Sequence, residues 1–507
     1  MNEESTMAMT DPTRIPVIIG IGQLNDRPES PELGLDPPGL MAAALRLAEA
    51  DAGGDILAHL GSLAIVDQIS FRQLGNLCER VATAIGANPA VNYQSEAPHG
   101  DTPIRLLNEA ANRIGAGEIS LAAIVGAEAL RTAAGLAALA AKGEDKSYNA
   151  VRAASNRRDP NYAQAHGLSA PVDVYPIYEN AGRAAYGQTL AEAQAESGTI
   201  WSGMSEVAAA NEGAWIRKAV SAEDILTPGP SNRPLAFPYT KLTVANSSVN
   251  QGAGFLVASL AEARRRSIPE ERLIFVGMGA AAKEDPSILR RDRYDRSSSM
   301  DTAIRRTLAL NAMTGADFDH VELYSCFPCV PKMARRVLGW PLDKPATVFG
   351  GLTFGGGPIA NYMSHAVVSM VDRLRSGDGQ TGFLFANGGY ATDNHCIVVS
   401  RQPVSAAQFP QDFNYQAEAD AARGPVPELD KDYTGSARVE SYTVFHNREG
   451  APSSGVVIAR TPDDKRTLCH IDVANPAMLA FFMDGAVEPV GTGGRIVLAS
   501  EKRVWER

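Results

Sequence analysis

Pro16-Val-Ile-Ile-Gly-Ile-Gly-Gln23 and Leu273-Ile-Phe-Val-Gly-Met-Gly-Ala280 are two versions of one phrase. Each is a short apolar run broken by glycines, the pattern of a strand buried on both faces. The segments after the two phrases repeat as well. Gly39 to Ala52 reads as a helix with Leu40, Ala44, Leu45 and Leu47 on its apolar side; Met300 to Met313 answers it with Ile304 and Leu308 one turn apart. Leu63-Ala-Ile-Val66 is matched by His320-Val-Glu-Leu-Tyr324, and each leads into an amphipathic stretch, Leu74 to Ile85 and Val330 to Leu338. A further helix spans Gly100 to Ile114 and opens on Asp101, Thr102 and Pro103, where proline's missing N–H does no harm. Its counterpart is Pro358 to Leu374. Both close on a glycine–acid pair, Gly117-Glu118 and Gly377-Asp378, before strands at Leu121 to Val125 and Gly382 to Phe385. A β-α order used twice predicts two similar α/β halves with mostly parallel sheets.

The halves are read as 14–265 and 266–402. Residues 142–242 interrupt the repeat with Asn, Ala, Pro and charge, and read as an insertion over one face of the first half; Asn246 to Ser259 then completes that half. Residues 403–435, rich in Ala, Pro, Gln and Asp, read as a linker. From 436 to 507, β-type runs at Arg438 to His446, Gly455 to Arg460 and Arg466 to Asp472 precede a short apolar helix, Ala477 to Met483, and a strand near Arg495 to Leu498. A small β-rich domain of OB-like form is expected.

A chain of 507 residues exceeds one ordinary core, which stops growing near about 250–300 residues. An apolar fraction of 45% with 21% charged residues is that of globular protein. A net charge of −11 disfavours nonspecific attraction to nucleic acid or anionic lipid, so neither is expected as a partner. No apolar run approaches the roughly 20 residues of a membrane span, and the opening MNEESTMAMTDPTR lacks the apolar core of a signal peptide. Cys78, Cys326, Cys329, Cys396 and Cys469 form an odd, sparse set without paired zinc spacing, which points to a reducing cytoplasm and no metal.

Three segments, set in this duplicated order, resemble the thiolase superfamily, including SCP2-type thiolases and bacterial thiolase-like proteins. Asn246-Ser-Ser-Val-Asn-Gln-Gly-Ala-Gly-Phe255 is similar to the segment closing the family's first half. Asp319-His-Val-Glu-Leu-Tyr-Ser-Cys-Phe327 is similar to the loop that reads Asn-Glu-Ala-Phe in ordinary thiolases and His-Asp-Cys-Phe in SCP2 types. Gly350-Gly-Leu-Thr-Phe-Gly-Gly-Gly-Pro358 is similar to the loop that ends Gly-His-Pro. The resemblance spans roughly 14–402. It implies a duplicated thiolase fold of five layers, αβαβα, acting on an acyl-CoA or β-keto acid, with coenzyme A a co-substrate and no tightly bound cofactor. It also implies a homodimer, although an appended domain could favour a monomer; OB-like domains accompany thiolase-like proteins, sometimes on a separate chain.

The family's nucleophile is a cysteine at the N-terminus of a buried helix, where the helix dipole and a nearby histidine favour the thiolate. Here that position falls at Gly100. The Gly-His-Pro histidine falls at Gly357, and the Cys-x-Gly cysteine near Ala386. Cys326 keeps the acid/base cysteine of SCP2 types, with Tyr324 and Ser325 in place of the preceding His-Asp. On this basis Cys326, Tyr324, His99, His365 and Asn387 are the catalytic candidates. Gly100, Gly356, Gly357, Gly388 and Gly389 are expected to line the substrate, and Arg157, Arg158, Arg217, Lys218 and Lys241 to meet the CoA phosphates. Each has a plainer reading: a small buried thiol, a structural histidine, a packed tyrosine, a glycine turn, a solvated charged face. The leading expectation is a CoA-dependent acyltransferase that makes or cleaves a β-keto acyl C–C bond without the usual cysteine. The alternatives are a retro-aldol C–C lyase on the same fold and a noncatalytic acyl-CoA binder.

Overall fold

In the computed structural model, which describes residues 11–142 and 160–507, the two opening phrases become neighbouring strands, β1 (Pro16–Asn25) and β8 (Ile274–Lys283). They pair antiparallel through Val17 with Phe275 and Ile18 with Ile274. Around this seam run β2 (Ser62–Val66), β3 (Val91–Gln94), β4 (Leu121–Ala129), β7 (Asn250–Ser259), β9 (His320–Leu323), β10 (Thr381–Gly388) and β11 (Asp393–Ser400). Their order is β3-β2-β4-β7-β1-β8-β11-β10-β9. Outward from the seam each half runs first strand, last strand, next to last, and then an earlier one, so the duplication read in sequence is a duplication in space. The expectation of mostly parallel sheets is corrected: only β2–β3, β2–β4 and β9–β10 are parallel, whereas β1, β7, β8 and β11 pair antiparallel with their neighbours. The closing strand of each half turns back between its neighbours. Apolar runs buried on both faces look alike in either direction, so composition alone does not separate the cases.

Helix α1 (Pro37–Asp51) covers the first half, packing on β1, β4 and β7; Leu47, expected to face inward, is 45% exposed. Between the halves lie α3 (Thr102–Ala116) and α8 (Tyr362–Arg375), which pack on each other and on strands of both halves. Helix α6 (Ser298–Leu310) covers β8 and β11. These are the five layers. A central helix must be apolar almost all round, and α8 buries eleven residues from Tyr362 to Leu374. Gly117 ends α3 in the left-handed conformation, φ 75°, that a C-cap of this kind requires.

The described part of the insertion is built on α4 (Pro171–Ala185) and α5 (Leu190–Ala210), and carries a small hairpin, β5 (Pro234–Ala236) and β6 (Tyr239–Thr240). Helix α4 packs on α7 (Cys329–Leu338) and on β12 (Gly435–His446) of the C-terminal domain. There β12, β13 (Pro452–Arg460), β14 (Arg466–His470), β16 (Lys502–Glu506) and β15 (Gly493–Ala499) lie side by side in that order, and β15 returns to β12. That closed order, with helix α9 (Pro476–Met483) between β14 and β15, is an OB-like barrel. The closing strand β16 is not evident from sequence, because Lys-Arg-Val-Trp-Glu places a single large apolar residue, Trp505, inside the barrel. The stretch expected to be a linker is partly ordered: Gln416–Ala422 is helical, and Arg423 holds Glu284 at 2.9 Å.

Candidate active site

Strands β9 and β10 run parallel; β9 ends at Leu323 beside Phe385 and β10 runs on to Gly388, so the loop that opens on Tyr324-Ser325-Cys326 and the strand end Asn387-Gly388-Gly389 lie on the same side of the sheet. The carboxyl ends of parallel strands are where α/β crevices form. Buried Glu322 fastens the floor there: it accepts from Tyr362 Oη at 2.6 Å, Thr347 Oγ1 at 2.8 Å and the Val348 N–H at 2.9 Å. Burial lifts its carboxyl to about 7 despite these donors. The glycine loop 350–357 is shaped by close approach. Gly356 has φ 107°, and a Cβ there would stand 2.2 Å from Gln251 Oε1; Gly357 donates its N–H to Asn246 O at 2.8 Å.

At Gly100, where the resemblance sets the family's nucleophile, the space for a side chain is taken. A Cβ on Gly100 would fall 2.2 Å from Asn387 O and 2.6 Å from the Tyr324 hydroxyl. Tyr324 is buried, its ring set edge-on to Tyr362 at 5.6 Å, and its hydroxyl makes no hydrogen bond among the described residues. Burial, together with Cys326 and Asp101, raises that phenol well above its ordinary value, so it remains a proton donor. Burial likewise pushes the Cys326 thiol up to about 12; at neutral pH it is a thiol, not a thiolate.

Asp101 follows Gly100 at the start of α3. Its carboxyl is lifted to about 6, by burial first and by Asp393 next, against the pull of Lys283, Arg105 and His99. Asp393, at the start of β11, accepts from His99 Nδ1 at 3.2 Å and Lys283 Nζ at 3.0 Å. Its own carboxyl is held below the usual range, since those two partners outweigh burial. The bond to Asp393 raises the half-exposed His99 above its ordinary value. A Cβ on Gly388 would lie 3.0 Å from Gly100 N and 3.5 Å from Asp101 Oδ1, so Gly100, Asp101, Tyr324 and Gly388 converge on one small space.

Asn387 is committed elsewhere: its Oδ1 accepts from Tyr175 Oη at 3.1 Å and its Nδ2 donates to Asn394 Oδ1 at 2.9 Å. Gly389, at φ 61°, offers its carbonyl to the Tyr175 hydroxyl at 2.9 Å. His365 stands apart. It stacks on Phe349 at 5.0 Å, bonds Gln23 Oε1 through Nδ1 at 2.8 Å, and burial drives its pKa down to about 3, leaving a neutral ring. Arg217, Lys218 and Lys241 are exposed on the insertion; Arg157 and Arg158 lie outside the described residues. A cleft of about 790 Å³ opens elsewhere, lined by Gln23, Asn25, Asn211 and Ser369 among others. Among the described residues no group of His, Cys, Asp or Glu could hold a metal ion, and no helix is long and apolar enough to cross a membrane.

Sequence reasoning misses Asp101, Asp393, Lys283 and Tyr175. Asp101 carries the only usable signal, its place beside Gly100, and reads there merely as a helix start. Tyr175 reaches its partner across 212 residues and leaves none.

Two halves sharing a sheet seam, a central helix pair, and a helix opening beneath the loops after β9 and β10 make up a thiolase-like fold, the fold this chain shares with the solved structures it matches. Residues 416–500 match the family model of the thiolase-like protein type 1 additional C-terminal domain. The chain is similar to a monomeric SCP2-thiolase-like protein type 1 from Mycobacterium smegmatis, at 27% identity and TM-score 0.80, over 97% of this chain and 99% of that one. It shares its fold with the Ltp2-ChsH2(DUF35) aldolase, at 18% identity and TM-score 0.58, covering 77% of this chain and 99% of that one. The same holds for the dimeric peroxisomal thiolase of Saccharomyces cerevisiae, at 15% and 0.57, covering 78% and 100%. A comparison with functionally curated proteins gave no match.

Proposed function

We propose that this protein is an enzyme that breaks or forms the carbon–carbon bond next to the carbonyl of an acyl-CoA thioester, by retro-aldol or aldol chemistry and without an acyl-enzyme. The observation that carries the reading is the exchange at the family's nucleophile position: no side chain fits at Gly100, and a tyrosine hydroxyl stands where one would. In the cleavage direction the Asp101 carboxylate takes the proton of a β-hydroxyl group. The Cα–Cβ bond breaks, its electron pair becomes the enolate of the thioester, and an aldehyde or ketone leaves. The Tyr324 hydroxyl donates to the enolate oxygen, the role of a preorganised oxyanion donor. Protonated Asp101 returns its proton to Cα, which closes the balance. Cys326, as a neutral thiol beside Tyr175, is a second donor rather than a nucleophile.

The fold shared with an aldolase supports this reading, and the fold shared with thiolases keeps acyl transfer to free CoA as the competing one. On either reading Arg217, Lys218 and Lys241, with Arg157 and Arg158, are our proposed contacts for the CoA phosphates, and His99 with Asp393 and Lys283 forms the rim. The five cysteines are unpaired and buried, which suits a reducing compartment such as the cytoplasm.

The test is product analysis by mass spectrometry with a panel of β-hydroxyacyl-CoAs and β-ketoacyl-CoAs, each with and without free CoA. Release of an aldehyde or ketone without free CoA is expected. Tyr324→Phe should lower kcat about 10²–10³-fold, as loss of one oxyanion donor does, while Cys326→Ala keeps most of it. Consumption of free CoA, abolished by Cys326→Ala, would establish acyl transfer instead; tight binding of acyl-CoA with no turnover would leave a binding protein.

A further inference from the structure

The turn 388–392 joins β10 to β11 and sets the position of Asp393. It is closed by the Thr392 N–H on Gly388 O at 2.9 Å, and carries two left-handed residues, Gly389 at φ 61° and Ala391 at φ 54°. The second of these is strained for a residue with a Cβ, so the turn needs outside support. Two arms supply it. From the insertion, the Tyr175 hydroxyl accepts the Ala391 N–H at 3.1 Å and shares its proton between Gly389 O and Asn387 Oδ1, and the Tyr178 hydroxyl donates to Tyr390 O at 2.8 Å. From behind, Arg291 Nη2 donates to Tyr390 O at 2.9 Å and Thr392 Oγ1 at 3.1 Å.

Arg291 is 1% exposed, and among the described residues no carboxylate lies within ion-pair distance of it. Its remaining donors go to Tyr178 Oη at 3.0 Å, Ser287 O at 3.3 Å and Asp285 O. Burying an unpaired guanidinium is costly, and it persists only where its donors are satisfied. Its own backbone is held by the C-terminal barrel. Arg466 of β14, fully buried, donates through Nη1 to Arg291 O at 2.6 Å and Leu289 O at 2.7 Å, while Glu440 of β12 binds its other face at 2.8 and 2.7 Å. An unbroken path therefore runs from Glu440 through Arg466 and Arg291 to the turn beside Asp101.

We infer that the C-terminal barrel is a positioning domain for the active site, and that Arg466 and Arg291 are positioning residues that hold the turn 388–392, and with it Asp393 and His99, in working geometry. The catalytic part of this inference rests on the function proposed above; the structural part does not. Hydrogen–deuterium exchange on the full chain without substrate separates them. In Arg466→Lys the ammonium keeps the charge opposite Glu440 but cannot span both carbonyls. The peptide covering 388–393 should exchange at least about tenfold faster, while peptides of β12 and β14 stay protected. Arg291→Lys keeps the buried charge but loses the fork that holds Tyr390 O and Thr392 Oγ1, leaves the turn's own Tyr390 N–H bond to Thr392 Oγ1 in place, and should give the same local signature without touching the barrel. Where turnover is measured, both variants should lower kcat about tenfold or more with KM within about threefold.

Unchanged exchange at 388–393 in Arg466→Lys with the barrel still protected overturns the inference. If that variant opens the barrel itself, Arg291→Lys decides: unchanged exchange at the turn overturns it, and faster exchange with an intact barrel upholds it. Altered exchange in a protein with no lyase activity would leave the positioning path standing and remove the proposed reaction.

Discussion

Asp101 joins two properties that pull in opposite directions. In the reaction proposed above the base is the carboxylate, so kcat/KM should fall about tenfold per pH unit below about 6, where its carboxyl titrates. The limb should vanish in Asp101→Asn, whose residual rate is about 10²–10⁴-fold lower. Stability runs the other way. Because the folded pKa is raised above the ordinary carboxylate value, the folded form holds the proton more tightly than the unfolded chain; the contribution is complete below that ordinary value and is lost as pH climbs through about 6. Asp101→Asn should therefore melt higher than the wild type at pH 8 and alike at pH 4, read by calorimetry. Gly100→Cys makes a separate point. Restoring the family's nucleophile should not restore thiolase activity, because its Cβ would meet Asn387 O and the Tyr324 hydroxyl; a lower melting temperature and no acyl-enzyme in the mass spectrum are expected. Residue identity alone discloses that the cysteine is gone. That a hydroxyl has entered its place depends on where Tyr324 points, which spacing does not encode.

At the scale of elements, the sequence is most readable where a period or a stop signal exists. The helix predicted over Gly100 to Ile114 forms at Thr102–Ala116, closed by Gly117 as its glycine suggested, and the barrel's first three strands fall close to the predicted runs. Strand direction is not readable, because β1, β7 and β8 are apolar on both faces and look the same running either way. Strand β16 is hidden by its charges, which suit a strand whose outer face meets water. The insertion's contribution is equally hidden: the sequence reads 142–242 only as an interruption of the repeat, yet Tyr175 and Tyr178 on α4 brace the turn 388–392, Tyr175 through its hydroxyl on Gly389 O and Tyr178 both directly on Tyr390 O and through Arg291. Bonds between distant elements leave no local trace at either end.

For the whole molecule, the duplicated fold is legible and its assembly is not. The thiolase-like protein matched over 97% of this chain is described as monomeric, whereas the yeast thiolase is dimeric. Strand β3 ends the first half's side of the sheet; it is four residues long and none of them is fully buried, a short edge of the kind that discourages pairing with another chain. A monomer near 53.8 kDa is the expected result of light scattering after gel filtration across a range of concentrations. A dimer persisting at low concentration would refute it.

The path from Glu440 to the turn also bears on synthesis. A ribosome releases this chain from its N-terminus, and domains fold broadly in that order. Gly100 and Asp101 emerge early, Tyr175 later, Tyr324 and Asn387 later still, and Arg466 near the end. A chain cut between residue 400 and Arg466 therefore carries the turn without its support from the barrel, however well its first half has folded. On the reaction proposed above, such a chain is expected to lack the geometry that turnover needs.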